Sequence, residues 1–194
     1  MLVIGNGESR SHIDLAQADC VKVGCNAVLR DYKVDHLICC DRRMVQEAVN
    51  ANYNKHAKIY TRKDWIDYFR RYENVYTVPD LPYQGSQRWD DPFHWGSGPY
   101  AVLLAAQLST GHCDLVGFDL YGNGKLVNNL YKNTENYAKS VSRNVDPRYW
   151  IVQIAKVFEL FPQIQFTVYN HNDWICPDIW KKHNIKVDTY SNLL

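Results

Sequence analysis

The sequence predicts an α/β protein: a single Rossmann-like domain over residues 1–194, with a mostly parallel sheet carrying helices on both faces. Three observations predict it. Apolar runs of strand length alternate with helical patterns along the chain. The chain opens on an apolar strand that enters a glycine-rich turn, Gly5-Asn6-Gly7. Its 194 residues, 46% hydrophobic and 22% charged, suffice for one sizeable core and form neither internal repeats nor low-complexity tracts.

Strands are expected at Leu2–Ile4, Val21–Cys25, His36–Cys40, Lys58–Tyr60, Asp114–Val116 and Gln165–Tyr169. Residues 42–50 and 63–71 read as helices, the second with Trp65, Tyr68 and Phe69 on one apolar stripe at i, i+3, i+4. Pro79, Pro82, Pro92, Gly85 and Gly96 make residues 78–96 a long irregular segment, and Tyr83, Trp89 and Trp95 within it are aromatic faces that suit a base or a sugar. Ser97-Gly98-Pro99 opens an apolar helix, with Ser97 as the expected N-cap and Pro99 in the first turn. Residues 122–146 are polar, rich in asparagine and tyrosine and without periodicity, which suits an active-site lid or a disordered loop. Asp146-Pro147 then caps a helix whose apolar face is Trp150, Ile154, Val157 and Phe158.

Composition narrows the function. Twenty-two basic residues against twenty-one acidic ones supply no global field for nucleic acid or an anionic membrane. No stretch reaches the roughly 20 apolar residues that span a bilayer, and the N-terminus is a strand rather than a signal peptide, so a cytoplasmic protein with no stable membrane insertion is expected. The six cysteines show no zinc spacing and no C-x-x-C, so free buried thiols are expected; Cys39 and Cys40 should point to opposite faces of a strand.

A strand followed by glycines lets a phosphate approach backbone N–H groups, so a nucleotide is the expected ligand. An NAD-dependent oxidoreductase is not expected: the third glycine of the dinucleotide fingerprint is replaced by Arg10, and the second strand ends at Asn26 rather than at a carboxylate. Four loops should converge at the carboxyl ends of the strands: Gly5–Arg10, the neighbourhood of Asn26, Asp41-Arg42-Arg43 as a phosphate clamp, and Gly117–Gly124. The N-terminus of the helix at Ser97-Gly98 adds N–H groups and a positive dipole end.

Gly5-Asn6-Gly7-x-Ser9, Cys25-Asn26, Gly96-Ser97-Gly98-x-Tyr100 and Gly117-Phe118-Asp119-Leu120-Tyr121-Gly122-Asn123-Gly124 together resemble, in order, the bacterial sialyltransferases of glycosyltransferase family 42, over roughly residues 1–160. The resemblance implies a Rossmann-like nucleotide-binding domain and inverting, metal-independent transfer of a sugar from a CMP-type donor to a glycan or other hydroxyl acceptor, the nucleotide-sugar being a substrate rather than a cofactor. It implies that Asn6, Gly7 and Ser9 contact phosphate and ribose, that Asn26 holds the donor, that Ser97 and Gly98 recognise sugar or cytidine, and that Tyr121 bonds the departing phosphate. His94 falls where the family tends to have arginine, and Asp41 where it has asparagine. The family's catalytic histidine aligns with Val141, and no histidine occurs between His112 and His171. Its second phosphate-binding tyrosine aligns with Val127, with Tyr131 the nearest substitute.

The expected catalytic residues are therefore His94 and Asp119 as base candidates with Tyr121 on the leaving group, and the expected nucleotide-binding residues are Asn6, Gly7, Ser9, Asn26, Asp41, Ser97, Gly98 and Tyr131. Two other functions stay open on the same scaffold: a non-catalytic nucleotide-binding or sequestering protein, and a magnesium-dependent nucleotide pyrophosphoryl transferase using Asp41 and Asp119. A homo-oligomer also stays open.

Overall fold

The computed structural model describes residues 1–193. Eight strands form one sheet: β1 (Leu2–Ile4), β2 (Lys22–Cys25), β3 (His36–Ile38), β4 (Lys58–Thr61), β5 (Val75–Thr77), β6 (His112–Val116), β7 (Gln165–Asn170) and β8 (Ile185–Thr189). Their order is β5-β4-β3-β2-β1-β6-β7-β8, and every pairing is parallel. The chain steps outward from β1 to β5, returns across the sheet, and steps outward again from β6 to β8. The strand order therefore reverses between β1 and β6, where a parallel sheet opens a crevice at its carboxyl end.

Helices cover both faces. α1 (Arg42–Asn50) and α2 (Lys63–Phe69) bury Met44, Val45, Ala48, Val49 and Phe69 against Leu2, Ile4, Leu37 and Ile59. α3 (Ser97–Leu108) and α4 (Arg148–Leu160) cover the opposite face, on Val3, Val23, Leu115 and Val168. Alternation along β1 sorts its three residues between these two cores, as a period of two requires. α3 is apolar all round because it lies between the sheet and α4, and each fully buried Val or Leu on it contributes about 1.5–3 kcal/mol. Cys39 joins one core and Cys40 packs against the other, as expected of neighbours in an extended segment.

Several expectations are corrected. β5 and β8 were not foreseen: both are edge strands, with two of three and two of five residues exposed and none buried, so neither carries a continuous apolar run. α2 stops at Phe69, and of its aromatic stripe only Phe69 is core; Tyr68 is 59% exposed and lies under the Arg42 guanidinium. Ser97 is not an N-cap, because Gly96 takes that position and the Ser97 hydroxyl points elsewhere. The expected cap of α4 is present, in contrast: Pro147 is its N-cap, with Asp146 Oδ1 accepting from the Arg148 N–H. After β1 the chain makes only a 3-10 turn, Glu8–Arg10, where a nucleotide fingerprint has a helix. Residues 122–146 are not a disordered loop: they form a folded strap bonded to the body of the protein.

Candidate functional site

The reversal of strand order opens a cleft of about 520 Å³. One wall is the turn after β1, where Gly5 and Gly117 face one another so closely that a Cβ on Gly5 would come within 2.4 Å of the Gly117 carbonyl oxygen; Gly117 has φ +69°. Four of the turn's N–H groups are already bonded within the protein, and among the described residues the Asn6 N–H has no protein partner. Gly5 N–H donates to Val116 O (2.8 Å), Gly7 N–H to Gly117 O (2.8 Å), Glu8 N–H to Asn128 Oδ1 (3.0 Å) and Ser9 N–H to Asp119 Oδ2 (2.9 Å). Its glycines serve the close approach of β1 and β6, and Gly5, Asn6 and Gly7 line the cleft.

Arg10 explains why the turn departs from the dinucleotide pattern. Fully buried, it donates through Nε to Gly5 O (2.7 Å) and through Nη2 to Tyr131 Oη (2.8 Å), with its guanidinium over the Tyr32 ring. The Tyr131 hydroxyl in turn donates to Asp31 Oδ2 (2.5 Å), so Tyr131 lies behind the wall, holding Arg10. Ser9 lies behind the wall as well: its hydroxyl donates to Asp119 Oδ1 and pairs with Tyr190 Oη (2.7 Å), whose oxygen also accepts the Gly117 N–H (3.2 Å). Asp119 lines the cleft, but both of its carboxylate oxygens are turned onto Ser9.

Asn6, Gly7, Asn26, Asp41, His94, Ser97, Gly98, Asp119 and Tyr121 all line this one cleft. Asn26 adopts φ +50°, a left-handed conformation that asparagine tolerates better than other side chains. Its Oδ1 accepts from Ser97 Oγ (2.9 Å), which accepts in turn from the Cys40 N–H (2.9 Å). This chain of bonds ties the ends of β2 and β3 to the first turn of α3 and leaves the Asn26 Nδ2 without a protein partner among the described residues. The α3 dipole presents its positive end at Ser97 and Gly98. Asp41 sits exposed at the rim, while Arg42 turns away over Trp65 and Tyr68, so Asp41-Arg42-Arg43 does not act as one clamp at the cleft.

The other side is built by the strap and by residues 89–96. Gln153, fully buried on α4, donates to the carbonyls of Trp89 (2.8 Å) and His94 (3.1 Å) and accepts the Gly96 N–H (3.1 Å). It thereby fixes the backbone that carries His94, whose ring meets Phe93 and Tyr149 edge-on. Trp95 is not a stacking platform: it is 2% exposed, packed on Tyr83 and Tyr100. Tyr121 is held by its carbonyl, which accepts from Asn128 Nδ2 (3.2 Å), and burial pushes its phenol above the usual tyrosine range, so the hydroxyl is a proton donor at neutral pH.

No protein-family model, no curated protein and no solved structure matches the chain.

Sequence reasoning missed three cleft residues. Tyr137 caps the cleft from the strap, its oxygen accepting from Asn6 Nδ2 (3.0 Å) and the Ala27 N–H (3.2 Å). Asn128 links Tyr121 to the β1 turn, and Arg62 lines the wall, fixed by Asp64 (2.9 Å) and the Phe93 carbonyl (3.0 Å). Tyr137 and Asn128 belong to a segment without periodicity, where only the excess of asparagine and tyrosine signals a role. Arg30 secures that strap, reaching Thr134 Oγ1 (2.7 Å) and the Glu135 carbonyl (3.0 Å) while paired with Glu47 (2.6 Å).

The site's electrostatics favour binding over thiol chemistry. Burial pushes the Cys25 and Cys40 thiols at the cleft floor up to about 12, so neither is a nucleophile at neutral pH. Oδ1 of Asn6 is buried without a hydrogen-bond partner. Among the described residues no group of three or more His, Cys, Asp or Glu is placed to hold a metal ion, and no helix is long and apolar enough to cross a membrane.

Proposed function

We propose that this cleft binds a nucleotide-activated sugar of the CMP type and that the protein is an inverting glycosyltransferase resembling the family 42 sialyltransferases. One observation carries the reading: Asn6, Asn26, His94 with Ser97 and Gly98, and Tyr121, drawn from four separate segments, line a single cleft at the point where the strand order reverses. About 520 Å³ is within the range of sites for ligands of that size.

Asn26 and Asn6 hold the nucleoside, and the N-terminus of α3 with the Tyr121 hydroxyl meets the phosphate. As the bond from the anomeric carbon to the phosphate oxygen breaks, the electron pair stays on that oxygen, and these dipoles meet its charge without a cation. The acceptor hydroxyl attacks the opposite face of the anomeric carbon, and its proton passes to a ring nitrogen of His94. Asp119 is the weaker candidate for the base because both of its oxygens face Ser9. The same engagement disfavours a magnesium site shared by Asp41 and Asp119.

Calorimetry with CMP, UMP and GMP tests the binding step, and release of CMP from CMP-sialic acid tests the transfer step. CMP at millimolar concentration should bind the wild type and raise its melting temperature. No heat and no thermal shift would sink the reading. CMP binding without any release from the donor would leave the sequestering protein as the better account.

A further inference from the structure

Two tyrosines line the cleft, Tyr121 and Tyr137, and the bonds of Tyr137 leave its proton without a use inside the protein. A phenol has one proton to donate and an oxygen that accepts. The Tyr137 oxygen accepts from two donors, Asn6 Nδ2 (3.0 Å) and the Ala27 N–H (3.2 Å), and neither nitrogen can take a proton in return. Among the described residues no protein group accepts from the Tyr137 hydroxyl. Tyr53 shows how such a hydroxyl is closed within the fold: its oxygen accepts the Val34 N–H (2.9 Å) and its proton goes to Tyr32 O (2.8 Å). Burial raises the Tyr137 phenol above the usual tyrosine range, so the proton stays in place at neutral pH.

The strap holds this hydroxyl in position. The Tyr137 ring lies 5.6 Å from that of Tyr131 and 5.7 Å from the Arg30 guanidinium. Its chain neighbours are pinned outside the cleft, the Glu135 carbonyl by Arg30 Nη2 (3.0 Å) and Asn136 Nδ2 on Glu47 Oε2 (2.9 Å). A donor fixed in this way is not ordered at the expense of binding. The bond from the Ala27 N–H brings it beside Asn26, whose Nδ2 is a second donor without a protein acceptor among the described residues. Both residues line the cleft, so a ligand at this end must bring acceptor atoms.

We infer that Tyr137 is a ligand-binding residue that selects the base: with Asn26 Nδ2 it reads the acceptor edge of cytosine, O2 and N3. The inference rests on the nucleotide reading of the cleft and adds to it a residue of the strap. Cytosine accepts at both O2 and N3, whereas uracil carries a proton on N3, which would set a donor against a donor. The mismatched base leaves a fixed protein donor unpaired, and that loss is the source of the discrimination.

Calorimetry on the full chain with CMP, UMP and 3-deaza-CMP, in which a C–H replaces N3, tests the assignment. The wild type should prefer CMP to either of the others by about tenfold or more. Tyr137→Phe leaves the Asn6 and Ala27 donors without their acceptor and should lower the melting temperature, so the ratio of affinities is the quantity to read. The preference for CMP over UMP should fall about fivefold or more in that variant. A residue that only holds the strap would weaken all three ligands alike, and an unchanged ratio overturns the inference. Equal wild-type affinity for CMP and 3-deaza-CMP overturns it as well, by a measurement that does not depend on the variant folding. Either result with CMP still bound leaves the nucleotide reading of the cleft in place, whereas binding of none of the three removes both.

Discussion

A Cβ added to Gly7 would stand 2.3 Å from Oδ1 of Asp119, so the loop after β1 closes onto the loop after β6 with no room for a side chain. Asp119 cannot swing aside freely, because Ser9 holds both of its oxygens. Gly7→Ala should therefore cost about 1–3 kcal/mol in denaturant unfolding, the range for overpacking a tight site. Asp119→Ala removes the obstacle as well as the bonds to Ser9. The double variant should cost less than the two single costs added together, by about 1 kcal/mol or more. Strict additivity would mean that the turn relaxes in another direction.

Asn26 combines two duties that substitution can separate. Its left-handed backbone is free of strain in glycine, whereas its amide is the group that the proposed function assigns to the donor. Asn26→Gly should keep the unfolding free energy within about 1 kcal/mol, since glycine regains in strain relief much of what the lost bond to Ser97 removes. The same variant should bind CMP about tenfold or more weakly by calorimetry. Wild-type affinity in Asn26→Gly would remove Asn26 from the donor site.

The buried thiols set an alkaline limit on stability. Cys25 and Cys40 have an ordinary pKa of 9.0, raised by burial to about 12 in the folded protein. Between those values the unfolded chain releases protons that the folded chain keeps, so stability is fully present below about 9 and falls as the pH rises towards 12. The denaturant midpoint should thus drop between pH 8 and pH 11, and Cys25→Ala should flatten that drop. At pH 8 the native protein should show exposed Cys20 reacting fast with a thiol reagent and Cys25, Cys39 and Cys113 only after unfolding.

Much of this architecture is legible in the residues. Leu2–Ile4, the central strands and α1 carry apolar runs or periodicities that no turn chemistry disputes, and the loops that reach the cleft end in glycine and asparagine. β8 escapes notice because its exposed Lys186 and Val187 break the apolar pattern. The cleft was legible as a set of loops but not as a set of atoms. Gly5 and Gly7 look identical in sequence whether they cradle a phosphate or admit a neighbouring strand, and only the partners Val116, Gly117 and Asp119 decide. Gln153 offered no signal at all: a glutamine within an amphipathic helix reads as solvent-facing, yet its amide organises the backbone at Trp89, His94 and Gly96.

Arg10 tests the same distinction by substitution. Arg10→Gly restores the glycine spacing of a dinucleotide turn, but it removes the buried guanidinium that holds Gly5 O and Tyr131 and leaves a cavity between them. The variant should lose about 2–4 kcal/mol of stability, from the cavity and the unpaired carbonyl together. It should gain no affinity for NAD, because no α-helix follows the 3-10 turn to present its N-terminus to a pyrophosphate. NAD binding by Arg10→Gly, seen as a rise in melting temperature, would mean that Arg10 alone had blocked a dinucleotide site.

His94 separates catalysis from binding. Its backbone is fixed through Gln153, and its ring has edge contacts with Phe93 and Tyr149 but no hydrogen bond to the protein among the described residues, so its nitrogens are free for the proposed role of base. A general base contributes about 10²–10⁴ in rate, while a residue that only shapes the wall changes affinity first. His94→Asn should therefore lower CMP release from CMP-sialic acid by about 10²-fold or more with CMP affinity changed no more than about twofold. Gln153→Leu, which frees the loop without touching the imidazole, should weaken binding and turnover together. If both variants fall alike in affinity and rate, His94 belongs to the wall, and the proton of the acceptor must leave by another group.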